Sequence, residues 1–228
     1  IQAWQGDWQP LWRDRQVRAY LRWNAYAVAA IVAYEVLTQD LPLETVLRET
    51  AFNVVSVFSG TGFTSANLAA WGAFPFAILF ITGLIGGCTS STGCSVKVFR
   101  YLILFEAVKV QLKRLYAPNA VMALRYDGRM VQQDVVDAVI SFFTLFMLSF
   151  GVLAVALSLT GLAFETAVTA AWTAIANVGP AFGPEVHPTG ALLAFPESAK
   201  WIMVVGMVIG RLELLAVYVL FIPRFWRG

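Results

Sequence analysis

The sequence predicts an all-α integral membrane fold built from two span–pore-helix–span repeats. Three observations predict it. Apolar residues make up 59% of the chain and charged residues 13%, and mean hydropathy is +0.69; soluble domains carry about 25% charged residues. Four apolar stretches, at about residues 23–39, 74–105 (interrupted), 135–161 and 201–222, approach the ~20 residues that a membrane span needs. A short apolar stretch ending in a glycine turn occurs twice: Gly60, Thr61, Gly62 and Phe63 end one, and Asn177, Val178, Gly179 and Pro180 end the other, 117 residues later.

In chain order, residues 1–22 read as a cytoplasmic segment, 23–108 as one repeat, 109–130 as a cytoplasmic linker and 131–228 as a second repeat. Each repeat opens with a span. The stretches at about 45–58 and 164–176 are too short to cross, so they suit re-entrant helices, which are tolerated only where buried in protein or lining a wet cavity. Glu44 and Glu165 stand near their starts, where the helix dipole favours negative charge. A second span closes each repeat. The first of these is broken: between Gly83 and Val96 lie Gly86, Gly87 and Gly93 with Thr89, Ser90, Ser91, Thr92 and Ser95. Interior glycine costs a helix about 1 kcal/mol relative to alanine, and free backbone groups at membrane depth need water or protein partners. An intramembrane loop and a packed kink both meet this pattern.

Charge sets the topology. Thirteen of the 16 basic residues fall in three clusters: Arg13 to Arg22, Lys97 to Arg129, and Arg224 with Arg227. The positive-inside rule places all three in the cytoplasm. The regions between hold Asp40, Glu44, Glu49, Glu165, Glu185 and Glu197 against Arg48 and Lys200, so the outer face is net acidic and would concentrate cations. Arg211 is a charge in mid-span, functional by default; a salt bridge to another helix is the alternative role.

The halves repeat in detail. Aligned on Gly62 and Gly179, the preceding residues match in size and polarity. Trp71 to Pro75 and Ala194 to Pro196 open the closing spans. Gly83 and Gly87, and Gly206 and Gly210, form small-residue pairs at similar depth; such pairs alone would signal helix packing. The backbone at the two turns has the character of a cation filter, where carbonyl oxygens replace a hydration shell and glycine keeps Cβ atoms out of the ring.

These segments, with Gly86 to Gly93 and Gly210, Arg211, Leu212 and Glu213, resemble in family order the Trk/Ktr/HKT superfamily of potassium transporters, most of all the C-terminal half of the bacterial Trk membrane subunit. The resemblance implies the third and fourth of four repeats in a pseudo-tetrameric pore, with the missing N-terminal repeats supplied by a longer protein. It implies a K+ filter at Gly60, Thr61, Gly62, Phe63, Asn177, Val178, Gly179 and Pro180. It also implies a gate made of Gly86, Gly87, Thr89, Ser90, Ser91, Thr92 and Gly93 with Arg211 beneath the filter. Cys94 and Ser95 stand where the family usually has glycine. A bacterial inner-membrane location, a homodimer and a cytosolic nucleotide-binding regulatory ring follow from the same resemblance. Potassium is expected as the transported ion, with membrane lipid as partner, no covalent cofactor and no nucleic acid. Both a gated channel and an ion-coupled symporter meet these features.

Cys88 and Cys94 form no metal pattern, and His187 reads as a surface residue. No HExxH or GxSxG constellation exists, so an enzyme is not expected. A structural membrane anchor is the other class, but it would need neither two pore-loop repeats nor a mid-span arginine.

Overall fold

A computed structural model describes residues 12–38, 42–89, 91, 93–117, 124–187, 190–212, 214–220 and 222–227. Each half begins with a long helix followed by a short buried one. Helix α1 (Arg15–Thr38) buries Ala19, Asn24, Ala27, Ile31 and Glu35. These recur every three to five residues and form one stripe. Pro42 precedes α2 (Leu43–Ser59), with Glu44 in its first turn; Asp40 lies outside the described residues. Helix α2 packs on α1 and on α3 (Ala73–Ile85). A glycine-rich loop leads to α4 (Val98–Tyr116).

The second half repeats this order with α5 (Gln133–Ser158), α6 (Phe164–Ala176), α7 (Glu197–Arg211) and α8 (Leu214–Leu220). On α5, Val136, Val139, Phe142, Phe146, Ser149, Leu153 and Leu157 are buried at helical spacing, while Met147, Leu148, Val152 and Val155 are exposed. A continuous exposed apolar face of this kind suits lipid.

The four expected spans are realised unequally. By length and composition, α5 alone qualifies among the described residues, and α7 with α8 qualifies as a pair bent by 107°. Helix α1 covers the expected span but starts earlier, so Arg15, Arg18 and Arg22 lower its hydropathy. The expected 74–105 stretch divides into α3, of 13 residues, and α4, which runs into the region expected as linker. The last span, expected as one run over 201–222, bends after Arg211, whose guanidinium reaches a polar loop instead of lipid. The linker holds one short feature that the all-α expectation lacked, an antiparallel hairpin pairing Arg125–Tyr126 with Arg129–Met130. Asp127 and Gly128 form its tip with φ of 50° and 79°, as a two-residue hairpin turn requires.

One hydrophobic core joins the halves. Helix α6 lies between α5 and α7 and is buried nearly all round. Its Trp172 is fully buried and stacks near Phe80 of α3, with ring centroids 5.2 Å apart. Trp172 fits because position 83 has no side chain: a Cβ on Gly83 would lie 2.3 Å from Cζ2 of the indole.

Candidate functional site

Both short helices end in a left-handed residue. Gly60 caps α2 at φ 72°, ψ 24°, and Asn177 caps α6 at φ 50°, ψ 44°. Each cap turns the chain back along its helix, and the backbone N–H groups then point into the helix end. Thr61 N and Gly62 N both donate to Ser56 O, at 2.9 and 3.3 Å. In the second repeat, Val178 N donates to Thr173 O at 3.3 Å and Gly179 N to Thr173 Oγ1 at 2.8 Å. Ser56 and Thr173 occupy equivalent positions, 117 residues apart. With the N–H groups turned inward, the carbonyls of Gly60, Thr61, Gly62, Asn177, Val178 and Gly179 accept no hydrogen bond among the described residues. Six unsatisfied acceptors next to the partially negative ends of two helices make an environment that favours a cation.

The two turns touch. A Cβ on Gly62 would lie 2.3 Å from Val178 O, and a Cβ on Gly179 would lie 2.9 Å from Gly62 Cα. Their φ values, 79° and 118°, also exclude most side chains. Glycine at both places therefore serves close backbone approach as well as conformation. The two turns carry the residues expected in a filter, and their side chains are set differently. The Phe63 side chain is 71% exposed, while Pro180 is buried. Thr61 Oγ1 bonds Ser59 Oγ at 2.6 Å. The Asn177 amide turns away and donates to Met207 O of α7 at 3.1 Å.

Beyond each turn the chain is clamped to its own short helix. Ser65 N donates to Asn53 Oδ1 at 3.0 Å and Asn53 Nδ2 donates to Ser65 Oγ at 2.9 Å. Phe182 N donates to Thr169 Oγ1 at 3.0 Å, and Thr169 Oγ1 donates to Phe182 O at 2.5 Å. Ser56 Oγ adds a bond to Phe63 O at 2.6 Å. None of Asn53, Ser56, Thr169 and Thr173 was singled out from sequence. Their signal was polarity at helical spacing inside short apolar helices, on the buried face.

On one side of the turns, Thr64, Asn67, Pro180, Phe182, Gly183 and His187 line a cleft of about 110 Å³. Glu185 closes the start of α6: Oε1 accepts from Ala163 N at 3.0 Å and Oε2 accepts from the Thr166 hydroxyl. The Thr166 hydroxyl, then the Ala163 N–H, hold its carboxyl below the usual carboxylate range.

The glycine-rich loop lies against the first turn at Gly60. It is closed at its base by Val96 N to Leu84 O, Lys97 N to Ile85 O and Val98 N to Gly87 O, at 3.3, 2.9 and 3.0 Å. Ser95 Oγ donates to Gly83 O at 2.7 Å, so the serine found where glycine is usual helps to fasten the loop. Gly93 lies under the first turn: a Cβ on Gly60 would be 3.7 Å from Gly93 Cα and 3.9 Å from Asn177 O. Ser91 Oγ accepts from Gly93 N at 3.1 Å and would meet any Cβ on Gly87. Thr89 is directed elsewhere, to Gln16 Oε1 of α1 through N at 3.1 Å and Oγ1 at 2.6 Å. Ser90, Thr92 and Glu213 lie outside the described residues. Arg211 donates from Nη1 to Cys94 Sγ at 3.5 Å. Ser91, Gly93, Lys97, Arg100 and Arg211 border a cleft of about 270 Å³ below the loop. The first cleft borders the turns at Thr64 and Pro180, and the second borders the loop at Ser91 and Gly93.

No cluster of three or more His, Cys, Asp or Glu side chains suits a metal ion among the described residues.

A family model described as a cation transport protein, TrkH, matches residues 24–227. The chain is 38% identical over 227 residues to the Trk system potassium uptake protein TrkI of Halomonas elongata, covering 100% of this chain and 46% of that protein. It is 33% identical over 218 residues to Trk system potassium uptake protein TrkH of Escherichia coli, covering 95% and 44%. The crystal structure of the potassium transporter TrkH from Vibrio parahaemolyticus superposes with a TM-score of 0.86 at 30% identity, covering 95% of this chain and 46% of that one. The chain spans about half the length of these relatives.

Proposed function

Because the chain belongs to the TrkH family of cation transport proteins, we propose that it forms two of four walls of a potassium-conducting pore in a bacterial inner membrane. The observation that carries this reading is the pair of touching turns with their N–H groups tied back to Ser56 and Thr173 and their carbonyls left without donors. Potassium is the cargo. The filter consists of residues 60–63 and 177–180, and each wall contributes carbonyls in place of water. The loop from Gly86 to Gly93 obstructs the path below, with Arg211 raising the barrier to cations from beneath. The N-terminal repeats of a longer protein supply the remaining walls. A second copy and a cytosolic nucleotide-binding ring complete the assembly, the ring docking on the basic face of Lys97 to Arg129.

Isotopic K+ and Na+ uptake by the intact transporter tests the reading. Gly62→Ser and Gly179→Ser should each reduce the K+/Na+ ratio on the order of tenfold, a loss of about 1.4 kcal/mol of discrimination. Unchanged ratios in both variants at normal expression would remove these turns from the filter.

A further inference from the structure

The geometry points to a binding site for an anionic phospholipid of the inner leaflet between α1 and α4, with the phosphate on Arg18 and Arg22 and an acyl chain along α3. Arg15, Arg18 and Arg22 are three and four residues apart, so they share one face of α1. With Trp23, Tyr26 and Leu102 they line a cleft of about 240 Å³. Positive-inside topology alone would scatter such charges around the helix end. Here all three arginines border one concavity.

The arginines are unequally engaged. Arg15 Nη2 pairs with Glu106 Oε1 at 3.4 Å and its guanidinium lies 5.7 Å from the Tyr126 ring centroid. Arg18 donates one N–H to Arg13 O at 3.2 Å. Arg22 makes no hydrogen bond or ion pair among the described residues. Arg18 and Arg22 are exposed and so keep donors for a phosphate, which guanidinium groups bind in a planar, bidentate way.

The second observation is apolar. Trp23 is shared between this cleft and a groove of about 350 Å³ lined by Ile81, Leu84, Ile85, Tyr101 and Phe105. Trp23 stands edge-on to both Tyr101 and Phe105, at 6.4 Å between centroids. Ile81 and Phe105 are about half exposed. A basic cleft continuous with an aromatic-walled groove matches the order of a phospholipid: phosphate, interface, chain. Tryptophan and tyrosine at that junction occupy the depth that membrane interfaces favour. A free anion would use the cleft and leave the groove empty.

The test uses the full-length transporter in neutral detergent, with chain-labelled phosphatidylglycerol and phosphatidylcholine as probes. Wild type should bind phosphatidylglycerol more tightly than phosphatidylcholine. R18Q/R22Q should weaken phosphatidylglycerol binding on the order of tenfold or more, since each basic side chain contributes appreciably to anionic-lipid attraction. Ile81→Trp, which fills the groove and keeps the arginines, should weaken it too, and this second variant decides the matter if the double variant does not fold. Equal binding of the two lipids, or binding untouched by either variant, would overturn the site. Displacement of the lipid by inorganic phosphate alone would show a simple anion cleft. A wild type that binds neither lipid would mean that protein covers this face.

Discussion

Glu35 is 2% exposed on α1, Thr50 of α2 donates to its Oε2 at 3.4 Å, and its Oε1 has no hydrogen-bond partner among the described residues. A carboxyl in that position joins the first span to the short helix that carries the Gly60 turn. Replacing it by alanine should leave a hole and strip the Thr50 hydroxyl of its acceptor, at a cost of about 1–3 kcal/mol. Thermal unfolding in detergent measures this; Glu35→Gln should recover most of the loss, and a glutamine variant as weak as alanine would assign the effect to charge instead. Glu185 gives a pH dependence. Its folded carboxyl titrates below its ordinary value because Thr166 and Ala163 donate to the ionised form. Its contribution is therefore full above the ordinary carboxylate pKa of about 4.3 and is lost as pH falls through the lower folded value. Unfolding temperature followed from pH 6 to pH 3 should drop more steeply in wild type than in Glu185→Gln. Of these two residues, Glu185 was legible as an outer acid, but its capping of α6 was not, since 19 residues separate it from Thr166.

At the scale of elements, the loop and the bent last span meet at Arg211 and Cys94. Deleting residues 88–92, or Arg211→Ala, should raise K+ flux severalfold in liposomes. The double change should raise it by less than the product, because contacting residues couple by about 0.5–3 kcal/mol. Multiplicative effects would separate loop from arginine, and lowered flux in folded Arg211→Ala would favour a structural bond. The short helices were readable because apolar stretches below membrane length ending in glycine have few other uses. The hairpin was not: its strands, Arg125–Tyr126 and Arg129–Met130, are two residues each, too short for a period to register, and only Asp127 and Gly128 marked it. The bend after Arg211 escaped because Arg211 stands between two apolar runs that together have the length of one span.

At the scale of the whole molecule, the charge order predicts an outer face bearing Glu44 and Glu185 and an inner face bearing Arg125. Single cysteines at these places, labelled with an impermeant maleimide, should react from outside at 44 and 185 only; external labelling at 125 would invert or break the topology. The order of repeats was legible because the 117-residue period carries both turns. The main core shared by both halves was not, since the closeness of Gly83 to Trp172 belongs to tertiary packing. That order hides an inequality between the walls. Gly62 is held through the backbone oxygen of Ser56, an atom that every amino acid carries, whereas Gly179 is held through the hydroxyl of Thr173. No substitution at Ser56 removes that acceptor, whereas a single codon change at Thr173 removes the other. Variation at the two equivalent positions can therefore loosen one turn and leave its neighbour tied, a freedom closed to any assembly of four copies of one gene product.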